Sequence, residues 1–285
     1  MDPGIAEAVG RALGAGVAGT RALAGGDIND AWATDLADGR RVFVKTHGRA
    51  PADMFATEAR GLAFLAEPAV PDLSIPEVLA VGERFLALEL MEPGPCPPDF
   101  DERLGRALAR LHQSSPGTFG LDHDNYIGRL PQPNGPRDDW ATFYRDQRLE
   151  PQLAMAERKG LADRGLRERF ERLYASLPHR VGPPEPPARL HGDLWSGNLH
   201  RTPAGTPALI DPAVHGGHRE VDLAMMQLFG GFGPRVFAAY DEVHPRAPGH
   251  AERVPLYQLY FLLVHVNLFG RGYLRGVTRC LDRLR

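Results

Sequence analysis

The segment HGDLWSGN at residues 191–198, followed by ALIDP at 208–212, holds three oxygen-bearing side chains around a glycine turn. Asp193, Asn198 and Asp211 supply the hard oxygen ligands that Mg²⁺ prefers. Phosphoryl transfer uses a carboxylate that deprotonates the attacking hydroxyl, and metal ions that neutralise phosphate charge. In kinases the metal-binding asparagine follows the catalytic-loop aspartate at the separation found here, 193 to 198. The spacing predicts Asp193 as the catalytic base, with Asn198 and Asp211 as metal ligands that also contact the nucleotide.

A purely structural turn is the alternative interpretation of this segment. Asp, Asn and Gly are common in turns because their side chains or free backbones allow local hydrogen bonding. We expect His191, at the start of the segment, to support the loop through packing and backbone contacts rather than to react.

Lysine is rare in this chain: there are 31 arginines, and Lys45 and Lys159 are the two lysines. Lys45 ends the strand-like run RVFVK, where a kinase places the lysine that binds the α- and β-phosphates. A solvated charge at a strand edge is the alternative. Retention of lysine against an arginine background favours a site that needs a compact ammonium group. Glu58, on the next predicted helix, is its expected ion-pair partner.

Two further segments are candidates for nucleotide contacts. The loop GGDIN at residues 25–29 contains glycines that let backbone amides approach phosphates, so we expect contacts from Gly25, Gly26 and Ile28. A plain hairpin turn is the simpler interpretation of the glycine pair. Residues 89–91 would form a hinge that reads the adenine edge; an ordinary buried strand is the alternative. These hinge candidates are Glu89, Leu90 and Met91.

The elements that must position these residues fall into two parts. Short apolar runs separated by turn signals predict antiparallel strands at 18–23, 31–35, 41–46, 77–81 and 84–90. Asp53 is expected to cap a helix that runs to about residue 67. The segment EPGPCPP at 92–98 breaks secondary structure because proline removes donors and fixes φ. Helical spacing dominates after it.

We therefore expect an α+β, two-lobed, protein-kinase-like fold. Residues 1–92 would form an antiparallel β-sheet lobe that binds ATP and ends in the hinge. Residues 93–285 would form a larger, mainly helical lobe with the catalytic loop and the acceptor site.

The composition is typical of a folded protein, with 24% charged residues and a formal net charge of −3. This charge offers no field that attracts nucleic acid or an anionic membrane, and neither is an expected partner. Cys96 and Cys280 lack metal or redox spacing and are expected to be reduced thiols in a cytoplasm. The longest apolar stretch, 256–269, contains three polar residues and is shorter than the roughly 20 residues that span a bilayer, so it is interpreted as core.

Together these motifs resemble the fructosamine kinases, also called ketosamine-3-kinases. The resemblance covers nearly the whole chain. It rests on GGDIN (25–29), VFVK (42–45), WATFYRDQRL (140–149), HGDLWSGN (191–198), IDPAVHGGHREVDLAM (210–225) and LYQLYFLLVHVNLFG (256–270). The resemblance implies Mg²⁺- and ATP-dependent phosphorylation of a ketosamine, either a fructosamine or a ribulosamine, at the sugar 3-hydroxyl. The unstable product would then release the amine, which is deglycation.

By position, the resemblance also implies roles for residues around the catalytic segment. Asp222 would brace the catalytic loop. Trp195 would form an apolar wall for the sugar or its amine, with a core aromatic as the alternative. Three residues would shape the acceptor side, with buried polar support as the alternative: His215, His218 and Arg219. Many members carry cysteine where Asp27 stands, so a redox link through that loop is not implied, and the oligomeric state stays open.

Two other functions remain open from the sequence. The first is another small-molecule kinase, for an aminoglycoside, an amino alcohol or a sugar, and a cationic substrate would require a strongly acidic acceptor pocket. The second is a non-catalytic nucleotide-binding protein. The sequence also leaves open the identity of the ketosamine sugar, and whether its amine is free or protein-bound.

Overall fold

The structure is a computed structural model that describes residues 1–23, 30–48 and 50–284. The expected phosphate loop, with Gly25, Gly26 and Ile28, lies outside these residues. Within the described ranges, no helix is both long enough and apolar enough to cross a membrane.

The N-terminal part contains helix α1 (Pro3–Leu13) and a five-stranded antiparallel sheet in the order β1-β2-β3-β5-β4. The predicted strands are confirmed, and each boundary moves by at most one residue. Alternation along the central strand buries Val42 and Val44, which pack with Ile5 and Val9 of α1. The strands are β1 (Val17–Leu23), β2 (Asp30–Leu36), β3 (Arg41–Thr46), β4 (Val78–Gly82) and β5 (Phe85–Glu89).

Helix α2 (Met54–Ala66) packs Phe55 and Leu62 against Leu86 and Leu88 of β5. Asp53 occupies the N-cap position of α2, as expected, but its side chain makes no cap hydrogen bond. Its Oδ1 instead accepts a hydrogen bond of 2.7 Å from the hydroxyl of Tyr126. The aspartate therefore ties the start of α2 to the C-terminal part of the chain.

The C-terminal part is mainly helical, with three short antiparallel strand pairs, β6–β7, β8–β11 and β9–β10. A π-helix (Tyr144–Leu149) separates α4 from α5 and widens the turn. The elements are α3 (Phe100–Gln113), β6 (Asn125–Ile127), β7 (Leu130–Gln132), α4 (Trp140–Phe143), α5 (Glu150–Arg158), α6 (Arg164–Ser176), β8 (Ala188–Leu190), β9 (Leu199–Arg201), β10 (Pro207–Leu209), β11 (His215–Gly217), α7 (Glu220–Leu228), α8 (Pro234–Val243), α9 (His250–Phe269) and α10 (Leu274–Arg283).

Helix α9 crosses the C-terminal core, which confirms the interpretation of the apolar stretch for most of its residues. Two of the three polar residues in the stretch 256–269 join α9 to neighbouring helices. Gln258 donates to the carbonyl of Ala224 at 3.2 Å, and the amide of Asn267 donates to the backbone and side-chain oxygens of Gln152 at 2.8 Å each. The third of these polar residues, His265, lines a cavity.

Candidate active site

The catalytic loop begins where β8 ends and is pressed against residues 211–213. Gly192 has φ +82°, and a Cβ there would lie 2.0 Å from the carbonyl oxygen of Ala213. Only glycine fits this position without displacing backbone. The amide of Ala213 donates to the carbonyl of His191 at 2.9 Å, which closes the contact.

His191 supports the loop from inside, as expected. Its Nδ1 accepts a hydrogen bond from the amide of Asp193 at 3.2 Å, so its Nε2 carries the proton and donates to the carbonyl of Ile210 at 2.9 Å. Burial lowers the pKa of His191, which keeps the ring neutral. The neutral ring joins the two segments that carry the candidate catalytic aspartates.

Asp222 braces the loop from α7. This fully buried carboxylate accepts hydrogen bonds of 2.8 Å from the backbone amides of His191 and Gly192, and Nε2 of His112 lies 3.2 Å from Oδ2. Burial alone would raise the pKa of Asp222, but the hydrogen bonds and the imidazole of His112 hold it below its ordinary value. The expected bracing geometry is present.

Asp193 and Asn198 are joined through the backbone of the loop. The side-chain amide of Asn198 donates to the carbonyl of Asp193 at 2.8 Å and to the carbonyl of Asp211 at 3.4 Å. Burial, with the negative charges of Asp211 and Asp222, raises the pKa of Asp193 to about 7. A carboxylate with such a pKa can accept a proton near neutral pH.

Lys45 lies between two carboxylates. Its Nζ is 2.8 Å from an oxygen of Glu58 and 2.8 Å from Oδ1 of Asp211, and its side chain is almost fully buried. Burial opposes its charge, yet the carboxylates of Asp211 and Glu58 raise the pKa of Lys45 above its ordinary value. Burial raises the pKa of Glu58, while the charge of Lys45 opposes that change. The alternative of a solvated edge charge is wrong.

Asp211 has φ +53°, which is uncommon for a residue with a Cβ and occurs mostly at Asp and Asn. This left-handed backbone places its carboxylate against Lys45 while its carbonyl faces Asn198. Unusual backbone geometry of this kind is concentrated at functional sites, where the surrounding structure maintains it.

The donor set of Asn198 and Asp211 fits a magnesium ion. Within the described ranges, no group of three or more His, Cys, Asp and Glu residues could hold a metal by itself. Mg²⁺ does not require such a group, because it is commonly bound by one or two carboxylates together with substrate phosphates. The hydrogen bonds of Asn198 involve its amide nitrogen and leave its oxygen to act as the second protein ligand.

Lys45, Glu58, Asp193, Asn198 and Asp211 all line one cavity of about 600 Å³. A cavity of this volume is within the range that holds drug-sized ligands. The rest of its lining consists of Met54, Thr57, Gly61, Asn125, Tyr126, Ile127, Gly128, Trp195, Pro212, Ala213, Met225, Phe229, Val264, His265, Leu268, Phe269 and Tyr273.

The other residues singled out in the sequence differ in their relation to this cavity. Trp195 lines it and is 41% exposed, so the alternative of a core aromatic is wrong. Glu89 ends β5, where its amide donates to the carbonyl of Glu77. Leu90 and Met91 follow the strand, and none of the three hinge candidates is part of the cavity lining.

The three expected acceptor-side residues of the HGGHR segment are buried away from the cavity lining. The ring of His215 stacks on Phe143 with centroids 5.8 Å apart. His218 stacks on Tyr257 at 5.4 Å, and Arg219 makes two hydrogen bonds of 2.9 Å to the carboxylate of Glu185. These contacts correspond to the alternative of buried polar support.

Arg189 was not predicted from the sequence as part of the site. This buried residue of β8 forms a 2.7 Å ion pair with Glu67, donates to the carbonyl of Phe64, and lies over the Phe64 ring at 4.2 Å. With the Asp53–Tyr126 bond at the other end, α2 is anchored twice to the C-terminal part. The helix that carries Glu58 is thereby held in position.

These features define a phosphotransferase of the protein-kinase-like fold: the five-stranded sheet, the buried lysine–glutamate pair, and the loop that carries an aspartate and an asparagine. An aminoglycoside phosphotransferase with ADP bound has this fold, with a TM-score of 0.66 at 15% identity over 99% of this chain and 98% of that chain. More specifically, the chain belongs to the fructosamine kinase family, whose model matches residues 1–285.

Individual relatives agree with this membership. A probable ketoamine kinase from Thermus thermophilus is 42% identical over 263 residues, which are 91% of this chain and 92% of that protein. A crystal structure named for a fructosamine-3-kinase from Thermobifida fusca has a TM-score of 0.90 and 39% identity, and covers 98% of this chain and 97% of that one. The chain is therefore a kinase, and its family implies ATP and a divalent metal ion. The resemblance inferred from the motifs is confirmed.

Proposed function

We propose that the protein transfers the γ-phosphoryl group of ATP, in the presence of Mg²⁺, to the 3-hydroxyl of a fructosamine or ribulosamine. The observation that carries this proposal is the position of Asp193. Its carboxylate lines one cavity with the lysine and the two candidate metal ligands, and also with aromatic residues that could receive an acceptor. Membership of the fructosamine kinase family supports the ketosamine as that acceptor.

In the proposed reaction Asp193 accepts a hydrogen bond from the 3-hydroxyl and takes its proton as the oxygen attacks the γ-phosphorus. The raised pKa of Asp193, about 7, matches a base that works near neutral pH. Lys45 donates to phosphate oxygens, and Glu58 holds its ammonium group. When bound by Asn198 and Asp211, Mg²⁺ would neutralise charge on the phosphates.

The remaining nucleotide contacts are proposed from sequence position. Backbone groups of Gly25, Gly26 and Ile28 would contact phosphates, and those of Glu89, Leu90 and Met91 would contact the adenine. Residues 1–92 would then act as the ATP-binding lobe, and residues 93–285 as the lobe for catalysis and acceptor binding. The free thiols of Cys96 and Cys280 support a cytoplasmic location.

Phosphorylation at this hydroxyl has a chemical consequence for the substrate. The products of the enzymatic step are ADP, a proton and a ketosamine 3-phosphate, in which the phosphate is attached to the carbon beside the carbonyl. Phosphate is a better leaving group than hydroxide, so elimination releases inorganic phosphate, and one water then hydrolyses the resulting imine. The free amine and a 3-deoxy-dicarbonyl sugar are formed, which is deglycation.

The test is to incubate the protein with ATP, Mg²⁺ and either fructose-lysine or ribulose-lysine. Mass spectrometry would detect the phosphorylated product, and ³¹P NMR would locate the phosphate. Asp193→Asn should lower turnover by about 10² to 10⁴ while nucleotide binding persists, because a general base contributes on that order. Near-normal turnover by this variant would refute the assignment of the base.

A substrate panel tests the alternatives. Phosphate transfer to an aminoglycoside, an amino alcohol or a plain sugar, in preference to both ketosamines, would contradict the proposed acceptor. Absence of ATP turnover with every acceptor would favour the non-catalytic alternative. The cavity disfavours polycationic acceptors, because its acidic lining residues among those described are Glu58, Asp193 and Asp211, the carboxylates of the catalytic cluster.

A further inference from the structure

Four large hydrophobic side chains are exposed in the described part of the chain: Val81, Trp195, Phe229 and Phe269. The last three line the same cavity as Asp193, whereas Val81 does not. Scattered exposed hydrophobic residues need no explanation, but several on one concave surface indicate a ligand site. The cavity thus has a charged end at Lys45 and a largely apolar remainder.

His265 is the centre of an aromatic cluster in this apolar part. Its ring lies 4.7 Å from Phe229, 5.5 Å from Phe269 and 4.9 Å from Tyr273, measured between ring centroids. Three separate elements meet here, namely the end of α7, the end of α9 and the turn that follows α9. We call these four residues the aromatic wall.

Within the aromatic wall, one hydrogen bond determines the tautomer of His265. Nδ1 of His265 lies 2.7 Å from the carbonyl of Phe261 and must donate its proton there. Nε2 then holds a lone pair, and within the described ranges it has no hydrogen-bond partner. Burial also lowers the pKa of His265, which favours this neutral form. The imidazole of His265, which lines the cavity among aromatic rings, is therefore available as a hydrogen-bond acceptor.

The position of the wall restricts what it can contact. If the sugar 3-hydroxyl is held by Asp193, the group attached at the first sugar carbon can extend into the rest of the same cavity, which the aromatic wall lines. In a ketosamine that group is a protonated secondary amine with its alkyl chain. Aromatic rings attract alkylammonium groups through cation–π contacts, and they bury methylenes.

We infer that the aromatic wall binds the amine portion of the ketosamine, with Nε2 of His265 accepting a hydrogen bond from the linking ammonium. This inference rests on the proposed function and assigns the four residues of the aromatic wall as determinants of specificity for the amine, with a preference for a single amine on an extended alkyl chain. A polyamine chain gains nothing comparable, because the wall has no carboxylate to pair with further cations.

The experiment compares kcat/KM for ketosamines that share a sugar and differ in the amine: methylamine, butylamine, hexylamine and Nα-acetyl-lysine, each made with fructose and with ribulose. In the wild type, kcat/KM should rise by up to about fourfold for each methylene that is buried. Phe269→Ala should flatten this dependence. Val81→Ala, which removes an exposed hydrophobic side chain outside the cavity, should retain the wild-type dependence.

A second comparison isolates the hydrogen bond. His265→Phe retains the ring but lacks the acceptor, so kcat/KM for the amine series should fall about tenfold. An analogue in which oxygen replaces the linking nitrogen should react equally well with the variant and the wild type. A merely structural role of His265 would affect both compounds alike and would overturn the hydrogen bond.

The outcomes separate this inference from the proposed function. If the wild-type kcat/KM is equal along the amine series, or if Phe269→Ala does not change the dependence of kcat/KM on the amine, the role of the aromatic wall is overturned. The proposed ketosamine kinase activity is not affected by either result. If no ketosamine in the series is phosphorylated, both the role of the aromatic wall and the proposed function are overturned.

Discussion

Replacing Asp222 by asparagine tests whether the catalytic loop is held in place by one buried carboxylate. The wild-type side chain accepts hydrogen bonds from the amides of His191 and Gly192 and contacts the imidazole of His112. Asparagine has nearly the same shape but only one oxygen. We expect the variant to fold with lower stability and to position Asp193 less well.

The magnitude follows from the contacts that asparagine can replace. Its oxygen can accept from Gly192, and its amide can donate to Nε2 of His112 if that ring changes tautomer. The amide of His191 is then buried without an acceptor, and the hydrogen bonds to a charged group become neutral ones. A hydrogen bond to a charged group contributes about 1.5 to 3 kcal/mol, and an unsatisfied buried donor costs about 1 to 3 kcal/mol. The new contacts of asparagine with Gly192 and His112 compensate part of these two losses, so the free energy of unfolding should fall by about 2 to 4 kcal/mol.

The assay is equilibrium unfolding in urea, followed by kinetics under native conditions. Asp72→Asn is the matched control: its carboxylate is 51% exposed, pairs with Arg103, and has φ +61°, which asparagine also adopts. An exposed pair contributes about 0 to 1 kcal/mol, so this control should be nearly as stable as the wild type. Asp222→Asn should also lower kcat while the Kd for ATP stays unchanged, since its contacts are to the loop.

A loss below about 1 kcal/mol, with wild-type kcat, would refute the bracing role. Loss of stability alone, with kcat preserved, would show that Asp222 stabilises the fold without positioning the catalytic loop.

Two further predictions concern the charged end of the cavity. Lys45→Arg should lower kcat/KM for ATP by on the order of 10²-fold, because a guanidinium fork does not fit between Glu58 and Asp211. Lys159→Arg is the control and should leave kcat/KM unchanged, since Lys159 donates to a backbone carbonyl. A wild-type kcat/KM in Lys45→Arg would contradict this reasoning. In the metal-free protein, ¹³C NMR should show Asp193 titrating with a pKa of about 7, and Asp211→Asn should lower that pKa by removing a neighbouring negative charge. Since Asp193 acts as a base only when deprotonated, activity limited by this group should fall as the pH drops through its pKa; an ordinary pKa in both proteins would refute the electrostatic account.

Local patterns in the sequence were sufficient to predict the strands and to select the residues that meet at the charged end of the cavity. Alternation and turn residues determine strands within a few positions, and Asp193, Asn198 and Asp211 are close in the chain. Their geometry therefore depends mostly on short loops. Lys45 required a different argument, from the rarity of lysine, and its contacts with Glu58 and Asp211 agree with that argument.

The aromatic wall could not be predicted in this way. His265 and Phe269 are four residues apart, so helical spacing places them on one face of α9. That spacing does not tell whether the face meets another helix or a cavity, because the answer depends on where α7 and the turn after α9 end. The placement of His218 and Arg219 has a similar cause: their partners Tyr257 and Glu185 are distant in sequence, and only the assembled fold shows that they are buried.

The composition of the aromatic wall and the pKa of Asp193 are physically linked. Burial is the largest cause of the raised pKa of Asp193, and neighbouring negative charges add to it. A pocket built for polycations would place further carboxylates near this base and would raise its pKa still more, which would leave less of it deprotonated at neutral pH. An aromatic wall binds an alkylammonium group without adding negative charge. The apolar acceptor side is therefore compatible with a base that titrates near neutral pH, and it also favours single-amine ketosamines over polyamines.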